Sequence, residues 1–236
     1  MEDEVARLER IARVSRYAAG VNADTVRYSF RVFSRHLRGE SILEMGPAEG
    51  VMTEFLAATG KALTLVEGSE VFCRSLASRF PAVNVLHGLF ETFVPVGTFD
   101  NIVLGHVLEH VDDPIAILAR VRDWLSPGGR VLAAVPNSQS VHRQAAVLMG
   151  LLSHEAALNE SDVAHGHRRV FNPDSFRACF HDAGLAIEHS GGYWLKPLSN
   201  AQIEAAWTPA MLSAFMELGE RYPDIAGEIY VIARRP

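Results

Sequence analysis

With 236 residues, 48% of them hydrophobic and 21% charged, the chain is long enough for one globular domain with a full core, spanning 1–236. Its net charge of -6 argues against a broad basic footprint, so no nucleic-acid partner is expected. The charged N-terminus lacks a signal core, no apolar run is long enough to span a membrane, and Cys73 and Cys179 suit neither a disulfide scaffold nor a zinc site, so a soluble cytoplasmic protein without membrane contact is expected.

Residues 1–38 read as two helices forming a lid over the core. Val5, Leu8, Ile11, Ala12 and Val14 recur at helical spacing, and Asn22 or Asp24 could cap a second helix over 25–37. From residue 41 strands and helices alternate. Strands are expected at 41–46, 62–69, 83–88, 99–106, 130–137, 185–194 and 228–235. Helices are expected at 50–58, 69–79, 113–125, 173–183 and 209–221, with Asp113 as an N-cap before Pro114. Near-continuous apolar strands alternating with helices imply an α/β fold, a mostly parallel sheet covered on both faces. Residues 138–172 break the rhythm and are too long for a simple connection. They hold His142, His154, His165 and His167, and read as a helical insertion after strand five that closes a substrate pocket.

The segment SILEMGPAEGVMTEFL, residues 41–56, is the most informative in the chain. A strand ends in Glu44, Gly46 and Gly50 shape a tight turn, and a helix follows at once. The spacing is E-x-G-x-x-x-G rather than the G-x-G-x-x-G of dinucleotide binding, which argues against a nicotinamide dehydrogenase. An acid at the strand tip suits a cationic or amine-bearing ligand. One strand later TLVE ends in Glu67, followed by Gly68 and Ser69. Then come HGLFETF at 87–93, GHVLEHVDDP at 105–114 and LSPGGRVLAAVPN at 125–137.

In order and spacing, residues 41–137 resemble the class I S-adenosylmethionine-dependent methyltransferases, and EIYVIARR resembles the family's last, antiparallel strand. The resemblance implies a Rossmann-like, doubly wound, seven-stranded sheet with 41–137 as cofactor core and 173–236 completing it. It places S-adenosylmethionine against Glu44, Met45, Gly46, Pro47 and Gly50 at the turn. Glu67 would bind the ribose diol, with Gly68 and Ser69 beside it. Leu89 or Phe90 would press on the purine, and Gly105 and His106 would floor the methionine part. Ala48 stands where the family often has a glycine, and Glu91 is displaced from the acid that reads the adenine amino group.

His106, Glu109 and His110 share one face if their segment is helical, and His165 and His167 share one side if theirs is extended. The arrangement resembles the E-x-x-E-H plus later His of ubiquinone-type and small-RNA O-methyltransferases. A divalent metal on His106, Glu109, His110 and His165 or His167 is therefore an alternative to a metal-free site. A hydroxyl acceptor must lose a proton, and the candidate bases are His167, His165, His110 and His106, in that order. Arg168 and Arg169 could hold a substrate anion or pair with acids on the lid, and Tyr193 and Trp194 could wall the pocket or pack in the core. The expectation is methyl transfer to a small-molecule hydroxyl. The alternatives are transfer to an amine and a non-catalytic cofactor-binding partner subunit. Oligomeric state stays open, a homodimer through the lid included.

Overall fold

The computed structural model describes residues 4–15 and 17–236. The first three residues of the expected lid and Arg16 lie outside them, as does the side chain of Val14. In chain order the elements are α1 (Glu4–Val14), α2 (Gly20–Ser34), β1 (Ser41–Met45), α3 (Val51–Ala58), β2 (Ala62–Glu67), α4 (Glu70–Arg79), β3 (Asn84–His87), β4 (Phe99–Gly105), α5 (Pro114–Trp124), β5 (Leu125–Pro136), α6 (Val141–Leu148), α7 (Glu160–His165), α8 (Pro173–Asp182), β6 (Ala186–Tyr193), α9 (Asn200–Ala206), α10 (Pro209–Gly219) and β7 (Glu228–Arg234).

The strands form one sheet in the order β3-β2-β1-β4-β5-β7-β6. Only β7 runs against its neighbours: it is antiparallel to both β5 and β6. β1 lies between β2 and β4, where the chain stops adding strands on one side and starts on the other. Such a switch point is where open α/β sheets bind ligands, outside the carboxyl ends of the strands.

Alternate residues of the central strands bury on opposite faces, as the pleat dictates. Leu43, Ile102 and Val131 pack with Phe176 and Phe180 of α8, while Ile42, Val103 and Leu132 pack with Val32 and Phe33 of α2 and Leu56 of α3. Both faces are therefore dry, which explains the unbroken apolar runs. Asp113 caps α5 as expected, accepting from the Ala116 amide at 2.9 Å behind Pro114. Cys73 on α4 and Cys179 on α8 are both free thiols.

Two expectations change. Helix α2 starts at Gly20, so Asn22 and Asp24 lie inside it rather than at its cap. Glu204 of α9 accepts from the Val21 amide at 2.9 Å and satisfies an orphan donor that no local side chain reaches. Within 138–172 only α6 and α7 are helical. Arg143 of α6 ties the rest together, bonding Asp162 at 3.0 Å and the carbonyls of Glu155 and Ala157.

Candidate active site

The turn after β1 is left-handed three times, at Gly46 (φ 67°), Ala48 (φ 47°) and Gly50 (φ 77°). An alanine in that region costs about 1–2 kcal/mol. Glu67 at the tip of β2 holds it there: one carboxylate oxygen accepts from the Ala48 amide at 3.2 Å, the other from the Ser69 amide at 2.8 Å. Ser69 in turn caps α4 by accepting from the Phe72 amide. Burial raises the Glu67 pKa against those amide donors. Glu44 is buried deeper, accepts from Thr53 Oγ1 at 2.7 Å, and is pushed up to about 8 by burial. A cation bound beside it would favour its ionised form.

These tips open into a cleft of about 150 Å³. Glu44, Gly46, Pro47, Ala48, Glu67, Gly68 and Ser69 line one end, with Leu89, Phe90 and Glu91 beside them. Gly105, His106, Val107 and His110 form the floor, α1 roofs the cleft with Glu4, Arg7, Leu8 and Ile11, and Tyr17 and His165 close the far end. The roof is tight: a Cβ on Gly68 would lie 2.5 Å from Leu8 Cδ1. Met45 is fully buried in the core, and a Cβ on Gly50 would meet Leu76 at 2.7 Å, so these two support the turn and do not face the cleft.

The far end is rich in imidazoles. His165, the last residue of α7, has Nδ1 2.7 Å from the Ser161 carbonyl oxygen. A carbonyl only accepts, so Nδ1 is the donor in this contact, and in the neutral ring Nε2 is then the acceptor. His106 has φ 60° and lines the cleft. Nε2 lies 3.3 Å from Ser29 Oγ, and Nδ1 lies 3.7 Å from Glu109 and 3.6 Å from Glu228. Burial brings the His106 pKa down to about 4 and that of His110 well below its usual value.

A family profile described as a methyltransferase domain matches residues 15–190. The chain belongs to the S-adenosylmethionine-dependent methyltransferases. Over 180 residues it is 25% identical to a probable S-adenosylmethionine-dependent methyltransferase of Mycolicibacterium smegmatis, spanning 74% of this chain and 70% of that one. Over 168 residues it is 28% identical to a ubiquinone biosynthesis O-methyltransferase of Dinoroseobacter shibae, spanning 69% and 66%. An S-adenosylmethionine-dependent methyltransferase of Mesorhizobium loti shares the fold at TM-score 0.65 and 17% identity, covering 90% of this chain and all of that one. The cofactor is S-adenosylmethionine.

The methyltransferase divides the expected histidines. His106, His110 and His165 line the cleft, whereas His167 turns away to Asp162, 3.4 Å from Nδ1. Residues 165–167 are not extended: α7 ends at His165 and Gly166 is left-handed at φ 81°, so the His165 and His167 rings diverge to 6.2 Å. Glu109, His110 and His167 each bring one ligand atom within 4.8 Å of the others. Both Glu109 oxygens are buried without a hydrogen-bond partner among the described residues. A carboxylate with two imidazoles fits a divalent cation of zinc type. Neither His106 nor His165 belongs to that set.

Arg168 and Arg169 are structural. Arg168 pairs with Glu4 of the lid at 2.8 Å and Asp112 at 2.7 Å, and Arg169 donates to the carbonyls of Leu108, Val111 and Asp112. Tyr193 and Trp194 are fully buried, and Tyr193 meets Ser29 at 2.6 Å. His142 is half-buried, and His154 is exposed. Sequence reasoning missed Tyr17, Arg7 and Glu228. Tyr17 lies between two helices, where no periodicity marks it. Arg7 reads as an ordinary charged position of an amphipathic helix.

Proposed function

We propose that this methyltransferase alkylates a hydroxyl oxygen of a small-molecule acceptor, with His165 as general base. The observation that carries this reading is the His165 ring. Its Nδ1 donates to the Ser161 carbonyl, which in the neutral ring leaves Nε2 as an acceptor, and the residue lines the same cleft as Glu67. The other three imidazoles are less suited. Both His106 nitrogens face protein groups, His167 faces Asp162, and His110 lies against Glu109 at 4.0 Å with its basicity lowered by burial.

When bound, S-adenosylmethionine supplies a sulfonium methyl carbon, and transfer leaves S-adenosylhomocysteine. The protein's share is positioning and electrostatics. In this reading Glu67 accepts two hydrogen bonds from the ribose diol on the lone pairs that its two amide donors leave free. Glu44 offsets the positive charge, and His106 with Gly105 floors the reacting end. His165 Nε2 accepts the hydroxyl proton as the C–O bond forms. Were a divalent ion held by Glu109, His110 and His167, it would polarise an acceptor oxygen and lower its pKa.

The test is calorimetric binding of S-adenosylmethionine combined with labelled-methyl transfer to a panel of hydroxyl and amine acceptors. Two charge-assisted hydrogen bonds at roughly 1.5 kcal/mol each imply that Glu67→Ala weakens binding about 100-fold. His165→Ala should keep cofactor affinity and lose turnover on hydroxyls. Full turnover in His165→Ala, or transfer confined to amines, removes the base from the reading. Activity before and after chelation, with metal analysis of the purified protein, reads whether the Glu109 set is used.

A further inference from the structure

Tyr17 sits between α1 and α2, and its role rests on the assignment of His165 as base. Its hydroxyl donates to the His165 carbonyl at 3.2 Å. Its ring lies 5.3 Å from the His165 ring and 6.4 Å, edge-on, from His110. We infer that Tyr17 is a positioning residue for His165, and that it acts only while α1 is closed over the cleft.

Three further contacts support this. Arg7 of α1 donates to the Gly166 carbonyl, and Ile11 packs so closely that a Cβ on Gly166 would lie 2.6 Å from it. Glu4 pairs with Arg168 at 2.8 Å. The base and the two positions that follow closely after it, 166 and 168, are thus all held by α1 and its linker. The same segment covers the cofactor end. Leu8 lies over Gly68, Glu9 accepts from the Glu70 amide at 2.5 Å, and Ser15 donates to Glu49 at 2.6 Å. One short helix therefore bridges the two halves of the reaction, and lifting it releases both. Burial, with Glu109 and Glu49 nearby, raises the Tyr17 pKa, so the phenol stays a donor throughout the working range.

A tyrosine that only fills space would not govern which His165 nitrogen holds the proton. The Nδ1 bond to Ser161 closes the last turn of α7, and the Tyr17 hydroxyl anchors that turn by its final carbonyl. The experiment is nitrogen NMR on full-length protein labelled at histidine, with the His165 signal assigned by its loss in His165→Gln. In the wild type His165 should show a single tautomer, protonated at Nδ1. Tyr17→Phe, which keeps the ring and drops the hydroxyl, should shift the signal toward a mixture, and Arg7→Ala, which frees the lid from Gly166, should shift it the same way. Calorimetric affinity of Tyr17→Phe for S-adenosylmethionine should stay within about threefold of wild type. On any acceptor that is turned over, kcat should fall about tenfold with the cofactor KM unchanged, inside the hundredfold that a 1 Å misplacement costs. An unmoved His165 signal in both variants overturns the inference even if His165 proves to be the base. If His165→Ala is fully active, the functional reading fails instead, and the tautomer result still stands.

Discussion

Glu44 is a carboxyl group kept away from water in the lining of the cleft. Its folded pKa of about 8 lies above the ordinary value of 4.5, so the folded state holds a proton that the unfolded chain releases. Stability should therefore fall as pH rises from about 4.5 to 8, and Glu44→Gln should flatten that slope. A cation in the cleft reverses the preference. Cofactor binding near pH 7 should release up to one proton, read as a dependence of the calorimetric heat on buffer ionisation enthalpy and absent in Glu44→Gln. Ala48 tells a related story. Its left-handed backbone is strained, so Ala48→Gly should leave the fold unchanged or stabilise it by up to about 1 kcal/mol in urea unfolding, the relief of strain being partly cancelled by the greater freedom of glycine when unfolded.

Among the elements, the starts of β1, β4 and β5 share one staple. Asp100 accepts from Ser126 Oγ at 2.6 Å, from the Glu40 and Ser41 amides at 2.8 and 3.1 Å, and from Ser41 Oγ at 3.1 Å. These donors, Ser126 first, hold its pKa below the usual value. The resulting stability is complete above the unfolded pKa near 4 and is lost as pH falls through the lower folded one. Asp100→Asn should cost about 2 kcal/mol at pH 7, from one or two charged hydrogen bonds weakened, and its deficit should shrink in acid. The lid is held by close packing as well as by the Glu4–Arg168 ion pair. Gly166→Ala places a Cβ on Ile11 and Arg7 in a left-handed residue. Faster amide exchange confined to α1 and α7, with the sheet unaffected, is the expected result. Uniform exchange across the molecule would mean that α1 is not a separable element.

At the scale of the whole molecule, the sheet was legible because each strand carries its own signal. Apolar runs end in Glu44, Glu67 and Gly105, and those endings stand at the strand tips of the switch point. Histidine partners were not legible, because they depend on a single dihedral. A left-handed Gly166 sends His165 into the cleft and His167 to Asp162, and no local pattern separates that from an extended strand. The roof was half legible: the spacing of Leu8 and Ile11 declares a helix, but not that it spans from Gly68 to Gly166. That span makes closure cooperative, so ligand binding should be felt across the chain. At a concentration of one hundred times Kd, S-adenosylmethionine should stabilise the fold by about 2.7 kcal/mol. For a chain of this size that is a rise in unfolding midpoint of roughly 5–10 °C. The gain should come with slowed exchange in α1 and in α7 together, although α7 lies at the far end of the cleft from Glu67. Protection that stops at α1 would show the two halves closing independently, and would leave the lid as a cover for the cofactor alone.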